Sequence, residues 1–105
     1  MKETVLVKQI LDYLNYRRHL VQRTNSGMMR GNYKGKDWVV KLSQAGTADI
    51  TGCSKDGRFL AIECKIRPNK PTLLQEQYLN EIRKRGGIAL VAYELKDVEQ
   101  CKDLI

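Results

Sequence analysis

The chain has 105 residues, 42% hydrophobic and 30% charged, which is one domain's worth of foldable sequence and excludes disordered, collagen-like and multidomain classes. No apolar run approaches the roughly 18 residues of a membrane-spanning helix, and Met1-Lys2-Glu3-Thr4 lacks the apolar core of a signal peptide, so a soluble, unexported protein is expected. Nineteen Lys and Arg against twelve Asp and Glu leave a net charge of +7, a balance drawn to polyanions such as nucleic acid.

The first element is an amphipathic helix over residues 3–16, with Leu6, Val7, Ile10, Leu11 and Leu14 at three- and four-residue spacing. Residues 19–24 read as a strand. The polar, glycine-bearing stretch 25–37 reads as a long loop or hairpin tip, and Trp38 with Val39 and Val40 opens a strand over 38–42. A turn around Gly46 leads to a short strand over 48–51, and Ser54-Lys-Asp-Gly57 carries the Asp-Gly turn signature that joins it to a central strand over 58–66. Pro68 and Pro71 break the chain, Thr72 opens a second helix running to about Arg85, and Gly86-Gly87 closes it. Residues 88–93 form an apolar, buried strand and residues 94–105 a short terminal helix. The expected fold is a single small α/β domain with a mixed sheet of about four to five strands: helix, strands, helix, strand, terminal helix.

The chemistry centres on Arg58-Phe-Leu-Ala-Ile-Glu-Cys-Lys-Ile66. Strand alternation puts Phe59, Ala61, Glu63 and Lys65 on one face and Leu60, Ile62, Cys64 and Ile66 on the other. Glu63 and Lys65 are costly to bury without partners; the plain alternative is an edge strand whose charged side meets water. Asp49 falls about one hairpin before Glu63 and can reach the same spot, although Asp beside Gly is also an ordinary turn residue. Two carboxylates converging from adjacent strands, with a main-chain carbonyl between them, make an oxygen-rich site suited to Mg²⁺ or Mn²⁺. Glu3 falls on the inward stripe of the first helix, where it also suits the helix dipole. Gln75 lies on the apolar face of the second helix, where Thr72-Leu-Leu-Gln75 equally fits a capping box; only one of these roles is expected to govern its side chain.

Gly46-Thr-Ala-Asp49-Ile, Gly57-Arg-Phe-Leu-Ala-Ile-Glu63-Cys-Lys65, Pro71-Thr-Leu-Leu-Gln75 and Gly86-Gly-Ile-Ala, in this order, resemble the VRR-NUC family of the PD-(D/E)xK nuclease superfamily, in the short stand-alone form of phages and bacteria. The resemblance implies a restriction-endonuclease-like core over residues 1–105 and a metal-dependent phosphodiesterase. By motif, Asp49, Glu63 and the Cys64 main-chain carbonyl would hold Mg²⁺ or Mn²⁺, and Glu3 would reach the ion through water or a second metal. Lys65 would position or help deprotonate the attacking water and offset charge on the phosphate, serving more as a charge than as a literal base. Gln75 would orient Lys65 or the scissile phosphate. Ala48 stands where the superfamily has proline, a position that shapes the turn and supplies no ligand.

The basic residues Arg17, Arg18, Arg23, Arg30, Lys34, Lys36 and Lys41, interrupted only by the acid Asp37, are expected to form a DNA-contacting surface. The expected activity is structure-specific cleavage of branched DNA such as four-way (Holliday) junctions by a homodimer. A monomeric flap or nicking nuclease and a non-catalytic DNA-binding module are the alternatives. Cys53, Cys64 and Cys101 include no Cys-x-x-Cys pair, which disfavours a disulfide framework or zinc knuckle and suits the cytoplasm of a bacterial or phage-infected cell. His19, the single histidine, is expected at the surface or in a groove, and Trp38 in the core. Met28-Met29 suits either a loop or a subunit contact.

Overall fold

The computed structural model describes residues 1–24, 28–41 and 46–105, with the side chains of Met28, Met29 and Lys41 outside the description. Its elements are α1 (Glu3–Tyr16), β1 (Leu20–Arg23), β2 (Met28–Tyr33), β3 (Lys36–Lys41), β4 (Ile50–Cys53), β5 (Phe59–Cys64), α2 (Leu73–Lys84), β6 (Ile88–Ala92) and α3 (Leu95–Glu99), followed by a 3₁₀ turn at Lys102–Leu104. The main sheet has the order β1-β4-β5-β6. Its first two pairings are antiparallel, and β5 and β6 are parallel, joined by α2. This is the expected α/β layout with a mixed sheet. No helix among the described residues is long and apolar enough to cross a membrane.

The two faces of β5 bury two different surfaces, as strand alternation requires. Leu60, Ile62 and Cys64 pack with Leu6, Val7, Ile10 and Leu14 of α1 and with Val98 and Leu104 from the C-terminal segment. On the other face Ala61 meets Ala48, Ala89 and Leu79 of α2; alanines at three of these four positions let the helix approach the sheet closely. β4 and β1 approach just as closely, since a Cβ at Gly52 would lie 2.1 Å from the Leu20 carbonyl oxygen. Thr72 caps α2, accepting from the Gln75 amide, and Gly86 past its C-terminus takes φ +86°, a left-handed conformation that suits glycine.

Three sequence expectations change. Of the stretch expected as a long loop or hairpin tip, residues 25–27 lie outside the described residues, and 28–37 form a hairpin whose tip is short and whose strands are longer than expected: Met28 pairs with Lys41 and Tyr33 with Lys36. Lys34 and Gly35 both have positive φ at the tip, the signature of a tight twisted turn. Trp38 is 41% exposed and not core; it faces Gly31 across the hairpin, and a Cβ there would lie 2.2 Å from its ring. The indole thus packs on the bare backbone of the neighbouring strand. His19 is buried, not superficial. Its Nδ1 accepts from the Lys55 amide at 3.0 Å, so Nε2 carries the proton and donates to the Leu104 carbonyl at 3.1 Å. One imidazole thereby ties the start of β1, the β4–β5 turn and the C-terminal segment together. Leu42, the expected end of the Trp38 strand, lies outside the described residues.

Candidate functional site

The carboxylates meet where the β4–β5 ladder stops. That ladder ends at the pair Ile50 and Ile62, leaving the Cys64 amide without a β4 backbone partner. Asp49 fills the gap: its Oδ2 accepts from the Cys64 N–H at 2.9 Å. Its own carbonyl accepts from the Thr24 amide at 2.8 Å, so the residue is fixed from both sides. The Cys64 thiol, as expected, faces away into the α1 core, where burial pushes its pKa well above the ordinary range.

Glu63 is 2% exposed and sits on an inner strand, flanked by β4 and β6, so the edge-strand alternative fails. Its Oε1 accepts from Gln75 Nε2 at 3.1 Å and lies 3.8 Å from Lys65 Nζ. Oε2 is buried with no hydrogen-bond partner. Burial first, then the neighbouring charge of Asp49, push the Glu63 carboxyl up to about 8, against a smaller opposing pull from Lys65. Two ionised carboxylates can only accept hydrogen bonds; a proton or a cation between them resolves the conflict. Glu3, half-buried in the first turn of α1, adds its charge in the same direction.

Gln75 departs from the either-or expectation. Its Oε1 accepts from the Thr72 amide at 2.9 Å, closing the capping box, while its Nε2 donates to Glu63. A side-chain amide has an acceptor and a donor end, and here each end serves one role.

The site thus brings together Asp49, Glu63, Lys65 and Gln75, with Glu3 acting through its charge. Among the described residues no three of His, Cys, Asp and Glu are grouped to hold a metal ion. The donor set is a carboxylate pair, which suits Mg²⁺ or Mn²⁺, ions commonly bound through one or two carboxylates with water and phosphate completing the shell. The unpartnered, buried Oε2 of Glu63 fits such an ion.

The basic residues come from three places in the fold. Arg23 ends β1 opposite Ile50, close enough to the site for its charge to act on Cys64. Arg30, Lys34, Lys36 and Lys41 belong to the hairpin, and Arg17 and Arg18 lie at the opposite end of β1. Sequence reasoning missed Arg67 and Lys70, which with Pro68, Asn69 and Tyr93 line a cavity of about 290 Å³ just beyond Lys65. The Arg67 guanidinium stacks on the Tyr93 ring, 4.3 Å from its centroid. The cation-rich run Lys65-Ile-Arg-Pro-Asn-Lys70 was the available signal.

The fold and site together define a small α/β domain carrying a buried carboxylate pair, a lysine and a glutamine at one end of its sheet. Comparison with protein-family models, curated proteins and solved structures finds no match.

Proposed function

We propose that this chain is a divalent-metal-dependent DNA endonuclease that hydrolyses phosphodiester bonds in branched molecules such as four-way junctions, working as a homodimer in the cytoplasm of a bacterial or phage-infected cell. The observation that carries the reading is the Glu63 carboxylate, buried against Asp49 with one oxygen unpartnered. A buried and only partly compensated carboxylate of this kind costs several kcal/mol and is the sort of expense that functional sites retain. The VRR-NUC resemblance of the surrounding motifs supplies the reaction class.

In this reading Asp49, Glu63 and the Cys64 carbonyl hold Mg²⁺ or Mn²⁺, which when bound offsets charge on the phosphoryl oxygens and makes water nucleophilic near neutral pH. Asp49 is already oriented by the Cys64 amide, and Gln75 holds Oε1 of Glu63, so little rearrangement is needed. Lys65, its side chain 15% exposed, presents its ammonium from the same strand face to a phosphate or to the attacking water. In the same reading Arg23, Arg67 and Lys70 would receive neighbouring phosphates. The free cysteines Cys53, Cys64 and Cys101 suit a reducing compartment.

The test is cleavage of an end-labelled four-way junction, a flap and a plain duplex with Mg²⁺, Mn²⁺ or EDTA. Cleavage of the junction that needs metal and falls by at least about a hundredfold in Lys65→Ala is the expected result. Equal cleavage by the wild type and Lys65→Ala would refute the mechanism, and a monomer at assay concentrations would refute the homodimer.

A further inference from the structure

A second cationic feature lies at the other end of the sheet. Tyr16, Arg17, Arg18 and Lys55 line an open cleft of about 360 Å³, formed where α1 passes into β1 and where the β4–β5 turn comes alongside. No ion pair engages Arg17, Arg18 or Lys55 among the described residues. The adjoining Arg58, by contrast, is neutralised by Asp56 and Asp103. Tyr16 is 84% exposed, leaving its ring free to stack.

Two observations mark the cleft as built. First, Arg18 is the left-handed residue that ends α1, with φ +72° and the following His19 amide donating back to the Leu14 carbonyl at 3.0 Å, so the backbone from which Arg17 and Arg18 project is held in place. Second, the buried His19 ring fixes the two walls against each other, since its Nδ1 takes the amide of Lys55 while the residue itself follows Arg18. The cations are therefore positioned before any ligand arrives, which reduces the entropy lost on binding.

We propose that this cleft is a remote phosphate subsite for a DNA strand, with Arg17, Arg18 and Lys55 contacting the backbone and Tyr16 stacking on a terminal or unpaired base. The span of β5 from Phe59 to Glu63 places it about 13 Å from the carboxylate pair at roughly 3.3 Å of rise per residue. That distance corresponds to about four nucleotides of duplex at 3.4 Å each. The inference rests on the nuclease reading only for what lies at the far end of the strand; the cleft's affinity for DNA phosphate does not depend on cleavage.

The experiment measures binding of a fluorescein-labelled DNA duplex with a single-stranded overhang by anisotropy in EDTA, from about 50 mM to about 200 mM salt. Three single variants are compared with the wild type. Arg18→Asn suits the positive φ, so it removes the cation without endangering the fold; Lys55→Ala tests the other wall. Lys8→Gln, on the outer face of α1 where Lys8 pairs with Asp12, changes the net charge equally at a distance. Arg18→Asn and Lys55→Ala are each expected to weaken binding about fivefold or more and to reduce the salt slope by about 1, while Lys8→Gln leaves both near the wild-type values. Wild-type affinity and slope in Arg18→Asn and Lys55→Ala would overturn the proposal. So would an equal loss in Lys8→Gln, which would mark a general charge effect, or binding of inorganic phosphate in the cleft with DNA affinity unchanged by the variants. A wild type that binds through the cleft yet cuts nothing would refute the nuclease reading and leave the subsite standing.

Discussion

Replacing Glu63 by glutamine should stabilise the metal-free fold at alkaline pH while removing the proposed activity. In the wild type the Glu63 carboxyl is raised from 4.5 to about 8, chiefly by burial and then by Asp49. Such a group binds its proton more tightly folded than unfolded. Its contribution to stability is complete below the unfolded value, declines as pH rises through the interval, and is lost above the folded value. At 1.36 kcal/mol per pKa unit the interval sets a ceiling of about 5 kcal/mol, and relaxation around the ionised group brings the expected loss to about 2–4 kcal/mol. Glu63→Gln keeps the shape, can still accept from Gln75 and does not titrate. Urea unfolding in EDTA at about pH 5, 7 and 9 should therefore show the variant gaining about 2–4 kcal/mol on the wild type across that range at an unchanged m-value. Excess Mg²⁺ at about pH 9 should restore the wild type by about 3 kcal/mol at a hundred times its dissociation constant, with little effect on the variant. Parallel pH profiles for the two proteins would show that Glu63 ionises freely and would refute the argument from its burial.

Gln75→Ala removes both the bond to the Thr72 amide and the bond to Glu63. It should cost about 1–3 kcal/mol and lower cleavage, whereas Thr72→Ala should cost about 1 kcal/mol and leave cleavage within a few fold; thermal melts and single-turnover assays separate the two. Gly52→Ala drives a Cβ to 2.1 Å from the Leu20 carbonyl, and loss of β1 pairing should appear as a fall of at least about 2 kcal/mol in unfolding free energy. Gly31→Ala should displace the ring of the sole tryptophan, changing its fluorescence while the main unfolding transition moves by less than about 1 kcal/mol. His19→Ala leaves the Lys55 amide and Leu104 carbonyl without their partner, and a loss of about 2–4 kcal/mol in urea titrations is expected.

Much of this structure was legible because local rules and global fold agree. The apolar spacing of Leu6, Val7, Ile10 and Leu14 marks one helix face, and those residues are the ones buried. The Asp56-Gly57 turn joins β4 to β5 and with it brings Asp49 toward Glu63. The hairpin defeated the same logic. Trp38, Val39 and Val40 carry strand propensity, yet propensity does not say what a strand packs against, and all three remain at least 41% exposed. His19 was illegible for a different reason: its partners are one residue in a distant turn and another 85 positions away, and neither pairing leaves a periodic trace. The basic run from Arg17 to Lys41 is continuous only in sequence, because charge counting ignores that β1 carries Arg17 and Arg18 to one end of the sheet and Arg23 to the other.

The double engagement of Gln75 makes the length of the segment between β5 and α2 part of the chemistry. Arg67, Pro68, Asn69 and Lys70 are exposed, and an exposed connection ordinarily absorbs an extra residue at little cost. Here Gln75, which closes the capping box that starts α2, is also the residue that holds Glu63. Starting the helix one residue early or late would turn the glutamine by about 100° around the helix axis, away from the carboxylate. Single-residue insertions or deletions in this surface segment should therefore be tolerated by the fold and felt at the carboxylates, so the segment behaves as a gauge that sets the phase of one helix against one strand.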